Sequence, residues 1–248
     1  MEGVLQSSYA QACVAGLARA DWPGSQDGWV PFEAQTPVQE GENVFQMPNP
    51  AGGALFLASE FGAASTHVFH CLGISAVVNA AGGPNGVPNH FEAEGVAYVS
   101  YALQDQPGEN ILAHGIREGT VRISEFLAQQ KRVMVHCSAG LSRSATIVVA
   151  WMMRELDLTL AQAVAQVTAG RGRQLQINPS FWMSLAQWER ELRPTEYRAG
   201  VPPSFDFMPW LLEHFGDMGF QPETIRQAVV WADWTDFEKA LDAMLAGT

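Results

Sequence analysis

One nine-residue stretch, His136-Cys137-Ser138-Ala139-Gly140-Leu141-Ser142-Arg143-Ser144, puts a cysteine and an arginine at either end of a short polar loop. Val133, Met134 and Val135 before it read as a buried strand, and Ala145 to Met153 after it are apolar enough for a buried helix. A loop that opens a helix aims backbone N–H groups at one point, and the helix dipole favours an anion there. Gly140 permits the sharp backbone path this requires. Cys137 begins the loop, where converging amides and Arg143 would stabilise a thiolate. Arg143 offers a planar fork that matches two oxygens of a phosphate. The chemistry that suits this set is nucleophilic attack on a phosphate monoester, with a cysteinyl-phosphate intermediate.

The pattern His-Cys-x-x-Gly-x-x-Arg-Ser resembles the signature loop of the cysteine-dependent protein tyrosine phosphatases. With Ser-Ala-Gly-Leu-Ser between Cys137 and Arg143, it is similar to their dual-specificity branch. The resemblance implies roles for individual residues. Cys137 is the nucleophile, and Arg143 with the loop Ser138, Ala139, Gly140, Leu141 and Ser142 holds the phosphoryl oxygens. Ser144 donates to the departing thiolate, and His136 orients the loop. Loss of the leaving oxygen needs a proton, which a carboxylic acid on a loop can deliver. The family carries that acid some thirty residues before the cysteine. Asp105, in Gln104-Asp105-Gln106-Pro107-Gly108, stands 32 positions before Cys137, with Glu109 the nearby substitute. No metal or other cofactor is implied.

The implied substrate is a phosphoprotein carrying phosphotyrosine, phosphoserine or phosphothreonine. Two other readings stand beside it. The same mechanism serves phosphatases of phosphoinositides, glucans or RNA ends, although this loop has no lysine and no carbohydrate-binding segment is visible. A non-enzymatic adaptor is the third reading, opposed by the intact Cys137, Arg143, Ser144 and Asp105. Family members also place an arginine before their last helix, so Arg171 or Arg173 is a candidate secondary anion site.

The elements that must position these residues alternate along the chain. Ala54–Ala58, Ile74–Ala80 and Val96–Ala102 read as strands, with a helix over Glu60–Leu72 between the first two. Gly82–Asn89 is a Gly/Pro-rich loop, and Ile111–Gln130 is the next helix. Thr159-Leu160-Ala161-Gln162 is a capping box for a helix closed by Gly170, and Asn178-Pro179 caps a last helix over Ser180–Leu192. This alternation predicts an α/β fold: a mainly parallel sheet flanked by helices, with the site at the carboxyl ends of its strands. His67, His70 and Cys71 share a helical face but make a poor metal set.

The chain divides into an extension over 1–43, a catalytic domain over 44–196, a linker over 197–204 and a small three-helix domain over 205–248. Within the extension, Val4 to Ala20 suits a helix. The last segment repeats apolar residues at helical spacing and carries Met218-Gly219-Phe220 after its first helix, with Thr235-x-x-Glu238 as a capping box for its third. It resembles a ubiquitin-associated domain. The resemblance implies ubiquitin as a partner, met by Met218, Gly219, Phe220 and Leu245; a helical cap on the catalytic domain is the alternative.

Charge and cysteines bound the rest. The net charge of −12 lies mostly in the flanks: 1–43 hold six acids and one base, 201–248 eight acids and two bases. Residues 44–200 are almost balanced, with twelve acids and eleven bases. No basic surface for nucleic acid or an anionic membrane is visible. Cys13, Cys71 and Cys137 cannot all pair, which favours a reducing compartment, cytoplasmic or nuclear. An acidic start, Met1-Glu2-Gly3, does not suit a secretory signal, and no apolar run is long enough to span a bilayer.

Overall fold

Strands buried on both faces need mostly apolar residues, and three short segments here supply them at all positions but Asn79, Arg132 and His136. Ala54–Ala58 (β2), Ala76–Asn79 (β3) and Arg132–His136 (β5) form the middle of a five-stranded sheet of order β1-β2-β5-β3-β4. Val44–Met47 (β1) pairs antiparallel at one edge, and Ala97–Ser100 (β4) closes the other in parallel register. The computed structural model describes residues 44–47, 54–171 and 174–247. The expected N-terminal extension and helix, and Arg173, lie outside these residues.

The two-residue period of the strands sorts their side chains between two cores. Leu55, Leu57, Val78, Val133 and Val135 point to one, Phe56, Val77 and Met134 to the other. The smaller core is covered by Glu60–Ala64 (α1) and Thr66–Leu72 (α2). These are two helices where the sequence suggested one. Ser59 and Ser65 each accept an N–H from the following turn, so the second serine stops one helix and starts the next.

The larger core holds Gly119–Ala128 (α3), Arg143–Glu155 (α4), Leu160–Arg171 (α5) and Pro179–Leu192 (α6). A π-helical turn over Leu112–Glu118 leads into α3, in place of a regular helix, and Ile116 N–H donates to Ile111 C=O five residues back. Gly115 belongs there because a Cβ would stand 2.5 Å from the Ile111 side chain. The capping box at Thr159 is reciprocal: Thr159 N–H donates to Gln162 Oε1, and Gln162 N–H to Thr159 Oγ1. The helix it starts runs one residue past Gly170.

Three helices follow: Met208–Asp217 (α7), Pro222–Trp231 (α8) and Phe237–Ala246 (α9). The expected cap Thr235 is corrected to Asp236, whose carboxylate accepts Lys239 N–H. The stretch 197–204 is not a free tether. Buried Glu189 on α6 accepts Ser204 N–H at 2.9 Å, Ser204 Oγ–H at 2.5 Å and Leu160 N–H at 2.7 Å. Arg190 grips both carboxylate oxygens of Asp233, and Trp182 is enclosed by Phe205, Phe207 and Trp210. The C-terminal helices therefore share one apolar core with the sheet domain.

Candidate active site

β5 is the central strand, parallel to β2 and β3, and Cys137 is the first residue beyond its carboxyl end. The loop it opens curls back against β2. Glu60 N–H donates to Ser138 C=O at 2.9 Å, and Gly140 lies so close that a Cβ would come within 2.5 Å of Ala58 O. Gly140 also has φ +67°, a second reason for glycine.

Cys137 is 1% exposed, and two donors face its sulfur: Gly140 N–H at 3.2 Å and Ser144 Oγ–H at 3.1 Å. Arg143 is fixed by Leu103 C=O and Ser138 Oγ, both at 3.1 Å, with Nε 3.4 Å from Asp105 Oδ2. So Cys137, Arg143, Ser144 and Asp105, which sequence spacing grouped, do meet in space. Ser138, Ala139, Gly140, Leu141 and Ser142 form the loop between them.

Ser142 occupies the N-cap of α4 but makes no side-chain bond to its own helix. Its Oγ–H donates instead to Asp105 Oδ1 at 2.7 Å and its oxygen accepts Asn178 N–H at 3.2 Å. The first N–H groups of α4 are thereby left to an anion in the loop. Glu109, the substitute acid, turns away: its Oε2 accepts Gln104 N–H at 3.2 Å and braces the loop that carries Asp105.

His136 is buried beneath the loop, and burial pushes its pKa down to about 4, so the imidazole is neutral near pH 7. It backs the loop as a neutral group, without the charge of an imidazolium. Arg171 is also buried, and donates to Ala139 C=O at 3.3 Å. This bond ties α5 to the cysteine loop.

One feature escaped the sequence reading. Asn79, buried at the end of β3, donates to Val87 C=O and Asn89 Oδ1 and accepts Ala81 N–H. It ties down the Gly/Pro-rich loop, whose residues 82–88 form one wall of a cleft of about 450 Å³ with Glu60, Ser138 and Arg143. A buried asparagine at a strand's carboxyl end was the available signal. His67 Nδ1 lies 3.5 Å from Cys71 Sγ, and burial pushes the Cys71 thiol up. Among the described residues no group of three His, Cys, Asp or Glu is arranged to hold a metal ion.

Residues 55–191 match the dual specificity phosphatase catalytic domain. The chain belongs to the dual-specificity phosphatase family. Human dual specificity phosphatase 28 is 30% identical over 178 residues, covering 70% of this chain and 98% of the relative. Dual specificity protein phosphatase 26 from Bos taurus is 30% identical over 164 residues, 65% of this chain and 76% of that one. Among solved structures, human DUSP28 aligns with TM-score 0.52 at 28% identity, covering 64% of this chain and 99% of that one. A mouse putative dual specificity phosphatase complexed with zinc tungstate aligns with TM-score 0.54 at 25% identity, covering 65% of this chain and 94% of that one. The chain is thus a cysteine-dependent protein tyrosine/serine/threonine phosphatase with a mainly parallel sheet flanked by helices, as its signature loop implied. Helices α7–α9 fall beyond the matched residues.

Proposed function

We propose that this phosphatase hydrolyses phosphotyrosine and phosphoserine or phosphothreonine in proteins through Cys137. The observation that carries the reading is the convergence of Gly140 N–H and Ser144 Oγ–H on Cys137 Sγ, with Arg143 and Asp105 beside it. The Cys137 thiolate attacks phosphorus while Arg143 and the loop amides hold the remaining oxygens. As the P–O bond breaks, protonated Asp105 gives its proton to the leaving oxygen. Its carboxylate then takes a proton from the water that attacks the cysteinyl phosphate. The P–S bond breaks, and Ser144 Oγ–H stabilises the thiolate released. The cleft lined by Glu60 and the 82–88 loop offers Arg143 as its one cation among the described residues, which supports a single phosphate over a phosphoinositide or RNA end.

The test is hydrolysis of an aryl phosphate and of phosphopeptides by the full chain and by Cys137→Ser. Activity should fall on the order of 10³-fold or more, while vanadate still binds the loop amides and Arg143. Turnover that survives in Cys137→Ser would sink the reading.

A second reading concerns the C-terminal helices, proposed to bind ubiquitin weakly. It is supported by two large apolar side chains left in water, Met218 at 54% and Leu245 at 67% exposure. The cytoplasm or nucleus, where free thiols persist, is the proposed location.

A further inference from the structure

A groove of about 750 Å³ runs from the end of the acid loop, across α6, to the first turn of α9. Its near wall is Gly108–Asn110, three to five residues beyond Asp105. Ser180 and Ser184 line its floor and Asp236 and Glu238 its far wall. The groove is joined to the catalytic loop by short links. Glu109 accepts the N–H of Gln104, next to Asp105, and Ser180 donates twice to Asn178, whose N–H holds Ser142. The lining is polar, with hydroxyls and carboxamides suited to a peptide backbone. Its far wall comes from helices outside the family's matched residues.

The charges have a clear surplus. Arg117 is matched by Glu191 at 2.7 Å, and Arg190 by Asp233 at 2.5 Å. Glu109, Asp236 and Glu238 make no ion pair among the described residues. Three acidic residues without an ion pair among the described residues thus line a cavity that begins at the acid loop, although Glu109 and Asp236 each also accept a backbone N–H, and the nearby helices share the segment's acidic surplus.

We propose that this groove seats the polypeptide flanking the phosphorylated residue and selects flanks rich in lysine and arginine. The proposal rests on the phosphoprotein reading of the active site and adds to it the kind of sequence preferred. A cationic flank gains from the three carboxylates, whereas an acidic flank meets like charge at the same place.

The experiment compares kcat/KM for two phosphopeptides, identical but for lysines or glutamates on both flanks, using the full chain and Glu238→Lys. Glu238 is exposed, so the substitution leaves the core alone. An aryl phosphate, which ends at the pocket, reports the chemistry separately. The full chain should favour the lysine peptide several-fold to about tenfold at low salt, less as salt rises, and Glu238→Lys should shrink that ratio severalfold. Equal turnover of the two peptides overturns the proposal. So does a ratio unchanged in Glu238→Lys, because the preference would then arise elsewhere, as at Glu60 in the cleft. Loss of aryl phosphate turnover in the unmodified chain would strike the phosphatase reading instead.

Discussion

Ser142 Oγ donates to Asp105 Oδ1 at 2.7 Å, joining the loop that begins at Cys137 to the loop that carries Asp105. The serine thus gives up capping its own helix to hold a carboxylate 37 residues away in sequence. Its oxygen also accepts Asn178 N–H, so α6, the acid loop and the cysteine loop meet at one hydroxyl. Asp105, the proposed general acid, is therefore positioned before substrate arrives, which would lower the cost of ordering it in the transition state.

Ser142→Ala should weaken catalysis most where the leaving group needs a proton. Asp105 is neutral when it gives up its proton, and a hydrogen bond between neutral groups is worth roughly 0.5–1.5 kcal/mol, so the loss on an alkyl phosphate should reach about 2–10-fold. An activated aryl phosphate should lose far less. Asp105→Asn should show the same leaving-group pattern more strongly. Equal losses on both substrates in Ser142→Ala would make the serine a general scaffold residue. Ser142→Thr, which keeps the hydroxyl, should recover most of the activity.

His136 gives the fold a pH dependence with a definite sign. Its folded pKa lies near 4 because burial penalises the charged imidazole, below the ordinary 6.5. Between those values the unfolded chain binds the extra proton, so stability rises with pH across that window and is lost on acidification. From the two pKa values the loss amounts to about 3 kcal/mol by pH 4. Urea unfolding at pH 7 and at pH 4.5 should show that slope, and His136→Gln should flatten it. An unchanged slope in the variant would assign the acid sensitivity to other groups.

The C-terminal helices should unfold together with the sheet domain. Trp182 is 1% exposed because Phe205, Phe207 and Trp210 cover it. Removing residues 205–248 would leave that indole in water, and Trp182→Ala should cost about 3–5 kcal/mol. Tryptophan fluorescence and far-ultraviolet circular dichroism should follow one coincident denaturant transition in the full chain. Two separated transitions would mean that the helices form an independent unit.

How much of this was legible depends on how local each feature is. The strand, loop and helix around Cys137 are written within some twenty consecutive residues, so their order could be read directly. The two helices over 60–72 were readable in principle from Ser59 and Ser65, each a capping residue, but apolar spacing alone joins them. The π-helical turn depends on how Gly115 packs against Ile111 and Leu103, which periodicity does not encode. The Ser142–Asp105 bond spans two loops and follows from the parallel sheet bringing their ends together. Trp182 gives the plainest lesson. Phe181, Leu185 and Trp188 mark one inward stripe of α6, whereas Trp182 lies off it and signals a second covered face. That face is where Phe205, Phe207 and Trp210 dock.

Ubiquitin binding makes the last prediction, and the structure sharpens which residues should carry it. Phe220 is half-buried against Phe215, with ring centroids 6.3 Å apart, so it serves the core of the three helices as well as any partner. Met218 and Leu245 are exposed and free of that duty, and Gly219 turns the chain between Met218 and Phe220 with φ +94°. The docking to α6 runs through Phe207 against Trp182 and Asp233 against Arg190, away in sequence from Met218 and Leu245. Eight acids against two bases in residues 201–248 favour encounter with a basic partner surface more than they add affinity. So small an apolar patch should give a Kd on the order of 0.01–1 mM. Isotope-labelled ubiquitin titrated with the full chain should show shifts confined to one apolar patch. Met218→Ala with Leu245→Ala should abolish them, and since both side chains are exposed the fold should stand. If about 1 mM of the full chain shifts no ubiquitin resonance, the three helices are a cap on the catalytic domain alone.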